Sequence, residues 1–358
     1  MLHTRGNLVF SEITRQPDIW QKTIKLYNQE RETLVWIKKM KFNQIIFIGQ
    51  GAFQYAAECA SRLFRNLGKL FTMGLRSSDL FNTKILPFHP QLRTLVVALD
   101  NTGETPETLW ALDRIKKIKA DVQVIAVTCT KDSSITKKAS KTILIENAAD
   151  ETILPIKSFS TILFFLALIG GALSGNTDFL GKVSKLPKKI DLKQFHEKIT
   201  RIPKFKTAKN YFFLGAGLNR PLAAYAALMA KMSCLAPSQY MDSFEFRHNN
   251  FITVHMESIT TILTTPELQD LEMEALRDSA KMKSELILIS EKVDEKTAAL
   301  VGNVIQMESD VSTEAQIFYI IPIVQLMAFQ IAIALGRNPD KPRHLVEEVT
   351  YKSDLPKQ

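Results

Sequence analysis

Apolar and polar positions follow the same order twice along the chain. In the first half, a β-branched run at residues 44–48 leads into Gly49-Gln50-Gly51 and a helical pattern over residues 53–64. In the second half, residues 211–214 lead into Gly215-Ala216-Gly217 and a helical pattern over residues 221–235. A strand, a glycine turn and a helix in this order are typical of a βα unit. The pattern therefore predicts two related halves.

The next unit of each half also begins in the same way. Residues 95–99 form a predicted strand that Thr105-Pro106-Glu107 and a helix to residue 118 follow. Residues 260–263 form the matching strand, with Thr265-Pro266-Glu267 and a helix to residue 281. A hydroxyl, then proline, then an acid is a helix start, because the hydroxyl caps free N–H groups and proline fits the first helical position.

Both halves then continue with corresponding elements. Residues 122–127 match residues 286–289, and each half adds a short β-like run, at 142–145 and 299–304, before a long apolar helix. Strands that alternate with helices predict a parallel sheet flanked by helices. The predicted fold class is α/β with two tandem domains. The predicted boundaries are a helical extension at 1–40, a first domain at 41–175, a linker at 176–206 and a second domain with a C-terminal tail at 207–358.

Two of the apolar helical segments raise the question of a membrane. Residues 317–335 approach the ~20 apolar residues that a spanning helix needs, and residues 159–173 form a shorter run. The longer segment contains Pro322, Gln325 and Gln330, and no basic flank precedes it. These features favour helices buried between domains or subunits, so no membrane partner is predicted.

Composition limits the remaining classes. The chain has 358 residues, enough for two cores, and a net charge of +9, part of which lies in a Lys-rich segment at 182–209. No nucleic-acid-binding motif accompanies this charge, so it is interpreted as a solvated surface and no nucleic-acid partner is predicted. Three scattered cysteines support neither a disulfide framework nor a metal site. The sequence begins without a secretory signal pattern, which predicts a cytoplasmic location. No cofactor or metal is predicted.

Candidate chemistry lies in the loops after the first and second predicted strands, GQGAFQ and DNTGET. Ligands of open parallel sheets bind beyond the carboxyl ends of the strands. The second loop offers hydroxyls and backbone N–H groups at a helix N-terminus, which suits a phosphate, although the same residues also serve as ordinary caps. Asp100 opposes a dianion there unless its side chain points away or meets a cation.

These loops and several further segments carry a family resemblance. The layout of a GxG turn, a strand and then DNTGET resembles the sugar isomerase (SIS) domain, and both halves are interpreted as SIS-like domains. Other segments are similar to tagatose-6-phosphate ketose/aldose isomerases and to the isomerase half of glucosamine-6-phosphate synthase. They read SEITRQPDIW, SSDLFNT, DETILPIKSFST, EFRHNN and IFYIIPIVQLMAFQIAIALGRNPDKPRHL. The resemblance covers nearly the whole chain in the correct order.

The resemblance implies a set of functional residues. Thr102 and Thr105 would hold a sugar phosphate, and His248 would help to open the sugar ring, across a subunit interface in the family. A homodimer or higher oligomer is therefore expected. Glu245 is the candidate acid/base group, with Asp242 and Glu257 as other carboxylates; its alternatives are an ion pair with Arg247 or a surface group. The remaining candidate binding residues are Gly51, Ala52, Asp100, Asn101, Gly103, Lys157 and Ser158.

Several positions depart from the family pattern. Met232 stands where active members carry the glutamate that moves a proton between sugar carbons, and a thioether cannot act as that base. Ala52 and Phe53 replace the usual hydroxyl of the first turn, and Asp100 replaces the first serine of the phosphate loop. Asn249-Asn250 and Glu347 are further departures, with Lys352 the nearest substitute for the lysine expected at 347.

Two functions remain open from the sequence. The first is an enzyme that isomerises, deaminates or deglycates a phosphosugar or an amino-sugar phosphate, with a small sugar derivative as its partner molecule. The alternative is a non-catalytic sensor or partner subunit that binds a carbohydrate derivative after loss of the glutamate.

Overall fold

Two parallel β-sheets of five strands each, flanked by helices, form the core of the computed structural model of the protein. The structure describes residues 5–68, 71–83, 87–88, 91–118, 120–307, 312–346 and 349–352. The chain divides into two compact units. The first-sheet unit comprises Asp18–Ser184 and Val346–Gln358, and the second-sheet unit comprises Met1–Pro17 and Lys185–Leu345. The four segments expected from the sequence stay a prediction.

The first sheet has the strand order β2-β1-β3-β4-β5 with every pair parallel. Every residue of the neighbouring strands β1 and β3 is buried, which explains their continuous apolar sequence. The strands are β1 Gln44–Gly49, β2 Phe71–Arg76, β3 Thr94–Leu99, β4 Val122–Thr128 and β5 Lys141–Leu144.

The second sheet has the order β10-β9-β8-β6-β7 and is also parallel throughout. Starting from its β7 edge, this order is the same as that of the first sheet, so the sequence repeat produces the same topology twice. The α/β class and the parallel sheets are confirmed. The strands are β6 Asn210–Gly215, β7 Ser238–Met241, β8 Ser258–Leu263, β9 Glu285–Ser290 and β10 Asn303–Gln306.

Helices cover both faces of each sheet. In the first-sheet unit, α3, α4 and α7 contribute apolar side chains to one face, and α5 and α6 pack on the other. The α-helices are α1 Asn7–Thr14, α2 Gln16–Gln29, α3 Arg31–Met40, α4 Ala52–Gly68, α5 Asp79–Asn82, α6 Pro106–Ile115, α7 Lys157–Ser174, α8 Thr177–Lys185, α9 Leu192–Thr200, α10 Arg220–Cys234, α11 Ser243–Phe246, α12 Gln269–Lys281, α13 Glu295–Val301 and α14 Thr313–Ala334.

The two long apolar helices, α7 and α14, are long and apolar enough to cross a membrane by length and composition, but 83% of each is buried inside the protein. Helix α7 packs against α4 and α3, and α14 packs against α10, α9 and α1. Apolar side chains on all sides of these helices are explained by this packing, because a helix surrounded by protein needs no polar face.

Some elements differ from the sequence expectation. Residues 299–304 are the end of α13 and the start of β10 rather than one strand, and the connector contains α8 as well as α9. The edge strands β2 and β7 were not predicted, because short strands with polar residues resemble loops. The helix expected directly after Thr265 starts only at Gln269, after a turn.

Candidate functional site

The first turn of the candidate site lies at the carboxyl ends of β1 and β3. A Cβ atom at Gly49 would lie 2.4 Å from the Phe53 carbonyl oxygen, so only glycine lets β1 turn directly into α4. Gly51 follows with φ +57° and is exposed, whereas Ala52 and Phe53 are buried in the first turn of α4. The Phe53 ring centroid lies 6.4 Å from that of Phe159, so this position serves apolar packing.

The DNTGET loop is organised around the side chain of Asp100, which is 1% exposed. Its Oδ2 accepts a hydrogen bond from the Thr105 amide at 3.0 Å, and its Oδ1 accepts one from the Thr102 hydroxyl at 3.2 Å. The Gly103 amide and the Thr105 hydroxyl lie near this carboxyl. Burial raises the pKa of Asp100, and these four donors of Thr102, Gly103 and Thr105 lower it in part.

Asp100 therefore occupies the hydrogen-bond donors that were predicted to hold a phosphate. One amide and one hydroxyl bind this carboxyl group, with the Gly103 amide and the Thr105 hydroxyl nearby, as donors would surround an anion bound at the N-terminus of α6. The sequence leaves open whether the Asp100 side chain points away from a bound dianion. In the structure it points into the loop and takes up donors of that loop itself, so it competes with a dianion there. Asn101 and Thr102 remain half-buried and Gly51 exposed, so these residues border the accessible surface.

Gly103 holds the middle of this loop in place. It has φ +72°, and a Cβ atom there would lie 2.2 Å from the Ser133 hydroxyl oxygen. The next residue, Glu104, accepts a hydrogen bond from the Ser134 amide at 2.7 Å. The loop after β3 is thus fastened to the loop after β4, and a larger residue than glycine would separate them.

The N-terminus of α7 is also capped by an internal carboxylate. Asp150 Oδ1 accepts hydrogen bonds from the amides of Ile156, Lys157 and Ser158 at 3.2, 2.7 and 3.2 Å, and its Oδ2 accepts the Ser158 hydroxyl. The buried Lys157 Nζ lies 3.1 Å from Glu151 Oε1. Lys157 and Ser158 are therefore engaged by acids of the preceding loop.

Cys129 links the DNTGET loop to the start of α7. Its amide donates to the Asn101 carbonyl at 3.0 Å. Burial raises the pKa of its thiol well above its usual range, and the nearby charges of Asp150 and Asp100 raise it further, while Lys157 lowers it. The candidate residues after β1, after β3 and at the start of α7 thus belong to one edge of the first sheet, with Cys129, Asp150 and Glu151 as unforeseen members. No local sequence signal marks Asp150, which caps a helix that starts seven residues later.

The candidate catalytic residues lie in the second-sheet unit. His248 follows α11 and is exposed, as is Glu245, and the His248 amide donates to the Glu245 carbonyl at 3.0 Å. Arg247 pairs with Asp278 at 2.8 Å, not with Glu245, so the ion-pair alternative for Glu245 is wrong and a surface carboxylate remains. Met232 is half-buried near the end of α10.

The other two candidate carboxylates have structural partners. Asp242 caps α11 by accepting the Phe244 amide at 3.0 Å. Glu257 pairs with Lys209 at 2.6 Å, and this hydrogen bond lowers the pKa of Glu257. Among the described residues, the Glu245 side chain has neither a helix amide to cap nor an ion-pair partner, unlike Asp242 and Glu257. Glu347 lies outside the described residues, and Lys352 is exposed.

A second buried carboxylate occupies the matching position of the second sheet. Glu272 is 0% exposed, and its Oε2 accepts the Thr265 amide at 2.8 Å and the Thr265 hydroxyl at 3.4 Å. The amide of Ala216, in the glycine turn after β6, is close enough to lower the pKa of this carboxyl. Glu272 reaches back from α12 to the loop after β8, which accounts for the turn that delays this helix. Both sheets thus carry an internal acid at their carboxyl edges.

Comparison with known proteins identifies the class of the first half. The family model described as SIS domain matches residues 40–170. Residues 40–170 are therefore similar to a SIS domain, and the resemblance predicted from the sequence is confirmed.

The particular relatives are sugar-phosphate enzymes. The chain is 28% identical over 360 residues to glutamine–fructose-6-phosphate aminotransferase (isomerizing) of Methanocaldococcus jannaschii, covering 97% of this chain and 31% of that protein. It is 27% identical to the enzyme of the same name from Pyrococcus horikoshii, covering 97% of this chain and 58% of the relative. The chain thus spans only part of the length of these relatives.

Solved structures share the fold. Glucosamine-6-phosphate deaminase of Thermotoga maritima superimposes with a TM-score of 0.78 at 22% identity, covering 95% of this chain and 99% of that one. Tagatose-6-phosphate ketose/aldose isomerase of Escherichia coli superimposes with a TM-score of 0.81 at 17% identity, covering 94% and 95%. At these identities the likeness establishes the fold.

Replacing Asp100 by serine should strengthen phosphate binding at this loop. In Asp100→Ser the Thr105 amide loses its buried acceptor, which costs about 1–3 kcal/mol, and a bound phosphate restores an acceptor. We expect inorganic phosphate to bind Asp100→Ser at least tenfold more tightly than the wild type in isothermal titration calorimetry. Asp121→Ser, which removes an exposed carboxylate before β4, is the control. Equal affinity in wild type and Asp100→Ser would contradict the assignment of Asp100 as the internal anion.

Glu272 should make stability depend on pH. Burial raises the pKa of Glu272 from 4.5 to about 7, so the folded state holds this proton more tightly than the unfolded state does. The resulting stability is fully present below pH 4.5 and is lost as the pH rises to 7, by about 3 kcal/mol in the free energy of unfolding.

Glu272→Gln should remove this contribution, which thermal and urea unfolding between pH 4.5 and 8 would measure. The expected result is a flatter stability profile than that of the wild type. Asp270→Asn, at an exposed position of the same helix, should keep the wild-type slope. An unchanged slope in Glu272→Gln would show that the carboxyl titrates normally.

Proposed function

We propose that the protein binds a phosphosugar or an amino-sugar phosphate at the carboxyl edge of its first sheet. The observation that carries this proposal is the convergence of the Thr105 amide and the Thr102 hydroxyl, with the Gly103 amide and the Thr105 hydroxyl nearby, on one buried anion position that Asp100 holds. Such a set of donors at the N-terminus of α6 is suited to an anionic oxygen group. The names of the relatives, which refer to fructose-6-phosphate, glucosamine-6-phosphate and tagatose-6-phosphate, support the same substrate class.

The proposed reaction is isomerisation, deamination or deglycation of that sugar. His248 would act in ring opening and Glu245 in proton transfer, because both side chains are exposed and the structure gives neither a partner among the described residues. The second sheet is proposed as a second SIS domain, on the grounds of its matching strand order. The cytoplasmic location and the oligomeric state remain predictions.

A second candidate function is binding without catalysis. It is favoured by Met232, whose thioether takes the position of the proton-transfer glutamate, and by Asp100, whose carboxylate competes with a phosphate for the same donors. A sensor or partner subunit would keep the sugar-binding site and would not need the proton-transfer glutamate. The two candidates differ in turnover and agree on binding.

Sugar phosphates should raise the thermal stability of the protein. A ligand that binds only the folded state stabilises it by mass action, by about 2.7 kcal/mol at one hundred times its Kd. We expect fructose-6-phosphate or glucosamine-6-phosphate to raise the Tm, and Thr102→Ala to reduce that shift while Thr102→Ser keeps it.

Thr200→Ala, which removes an exposed hydroxyl on α9, is the matched control and should behave as wild type. Inorganic phosphate at the same ionic strength tests for a nonspecific salt effect. The binding proposal is excluded if no sugar phosphate shifts the Tm of either the wild type or Asp100→Ser.

His248 should be required for any turnover. Removal of a positioned proton-transfer group lowers rates by about 10²–10⁴-fold, so His248→Ala should abolish interconversion of hexose or hexosamine phosphates, followed by NMR. The exposed His344→Ala serves as the control for loss of a surface imidazole. Activity in His248→Ala equal to that of the wild type would contradict the proposed role of His248 in ring opening.

The same assay decides between the two candidate functions. If the wild type binds a sugar phosphate without converting it, and Met232→Glu gains turnover, the protein is a binding module. Turnover by the wild type excludes that alternative.

A further inference from the structure

A cleft of about 540 Å³ lies in the second-sheet unit where α10 and α14 end. We call it the basic cleft, and it is separate in sequence from the loops of the first sheet. Its volume is within the range of about 300–1,000 Å³ that small-molecule sites occupy. The lining residues that matter here are Arg5, Leu235, Gly336, Arg337, Lys341 and Arg343.

Four of these side chains are basic, and among the described residues that line the cleft none is acidic. Within the described part of the chain, no carboxylate forms a salt bridge with Arg337, Lys341 or Arg343. Arg5 donates from Nη1 to the Gly336 carbonyl at 2.7 Å, which keeps its guanidinium at the cleft. Because like charges repel, gathering four of them without a counter-charge has an electrostatic cost that an anion would relieve.

The segment after α14 also contains an acidic residue, Asp340, but its carboxylate is bound at the start of α1. Asp340 accepts the amides of Leu8 and Val9, at 3.3 and 2.9 Å, and so caps the N-terminus of α1. Asn338 accepts the Gly6 amide at 3.0 Å. These bonds fasten the segment after α14 to the start of α1, so the wall that carries Arg337 and Lys341 is fixed before any ligand arrives.

The partial negative charges at the ends of α10 and α14 do not neutralise the four basic side chains. Basic residues commonly follow helices, because each C-terminus carries about −0.5 elementary charge. The ends of α10 and α14 therefore supply about −1 in total against four positive side chains, which leaves an excess of about +3. The carbonyl groups at these ends can accept hydrogen bonds from hydroxyls, while Leu235, which is 40% exposed, adds an apolar contact.

We propose that the basic cleft binds a small molecule that carries an oligophosphate group. Three or more negative charges on neighbouring phosphates match the excess positive charge, and arginine is suited to bidentate contacts with phosphate. The basic groups lie around one cleft rather than along a stripe, which favours a compact ligand over a nucleic acid. This site does not depend on the proposed sugar-phosphate function.

Binding of inorganic tripolyphosphate tests the proposal. We expect calorimetry at constant ionic strength to detect binding to the wild type, weakened at least tenfold in the triple variant Arg337→Gln, Lys341→Gln, Arg343→Gln. The control variant Lys22→Gln, Lys116→Gln, Lys193→Gln removes the same charge from exposed positions elsewhere and should bind within twofold of the wild type. All six side chains are exposed, so both variants should fold, which their Tm values would verify.

Three outcomes would overturn the proposal. They are the absence of tripolyphosphate binding, equal weakening in both triple variants, and displacement of tripolyphosphate by a random single-stranded oligonucleotide of higher affinity. The response to sugar phosphates provides an independent readout. It should be unchanged in the cleft variant, so failure of the oligophosphate site and failure of the proposed function are distinguishable.

Discussion

Burial of both faces of a parallel sheet is the constraint on which the rest of this structure depends. Strands such as β1 and β3 expose no residue, so each sheet needs two layers of helices. The apolar helices α7 and α14 meet that need, and their mostly buried surfaces explain a sequence that is hydrophobic all round. The same arrangement leaves the carboxyl edges of the sheets as the places where polar loops and helix N-termini meet.

Those edges carry backbone amides that must find acceptors, and this protein supplies them from its own carboxylates. Asp100 serves the loop before α6, Asp150 the start of α7, and Glu272 the loop after β8. A buried amide without an acceptor is costly, so each acid stabilises its loop while raising the electrostatic barrier to an incoming anion. Loop stability therefore depends on Asp100, at the position where the family resemblance implies a neutral serine.

This dependence bears on both candidate functions. The fold is shared with solved structures of sugar-phosphate enzymes, and His248 is exposed in the second-sheet unit, whereas Phe53 and Asp100 are buried in the first-sheet unit. Phe53 contributes to the apolar core beside Phe159 instead of offering a hydroxyl. The fold is thus retained, and Phe53 and Asp100 stabilise it from within, through apolar packing and through hydrogen bonds to the loop.

The sequence by itself determined the repeat, the central strands and the start of α6 after Thr105, because apolar periodicity and the preference of proline for the first helical position are local. The expected capping hydrogen bond from the Thr105 hydroxyl is wrong, because that side chain caps no amide of α6 among the described residues. It also located the DNTGET loop at the sheet edge. Only the tertiary structure decided that Asp100 turns inward and that Arg247 pairs with Asp278 instead of Glu245. Asp150 and Glu272 were likewise beyond local reasoning, because side-chain direction and the partners of a buried carboxylate depend on groups that folding brings together, which spacing along the chain does not encode.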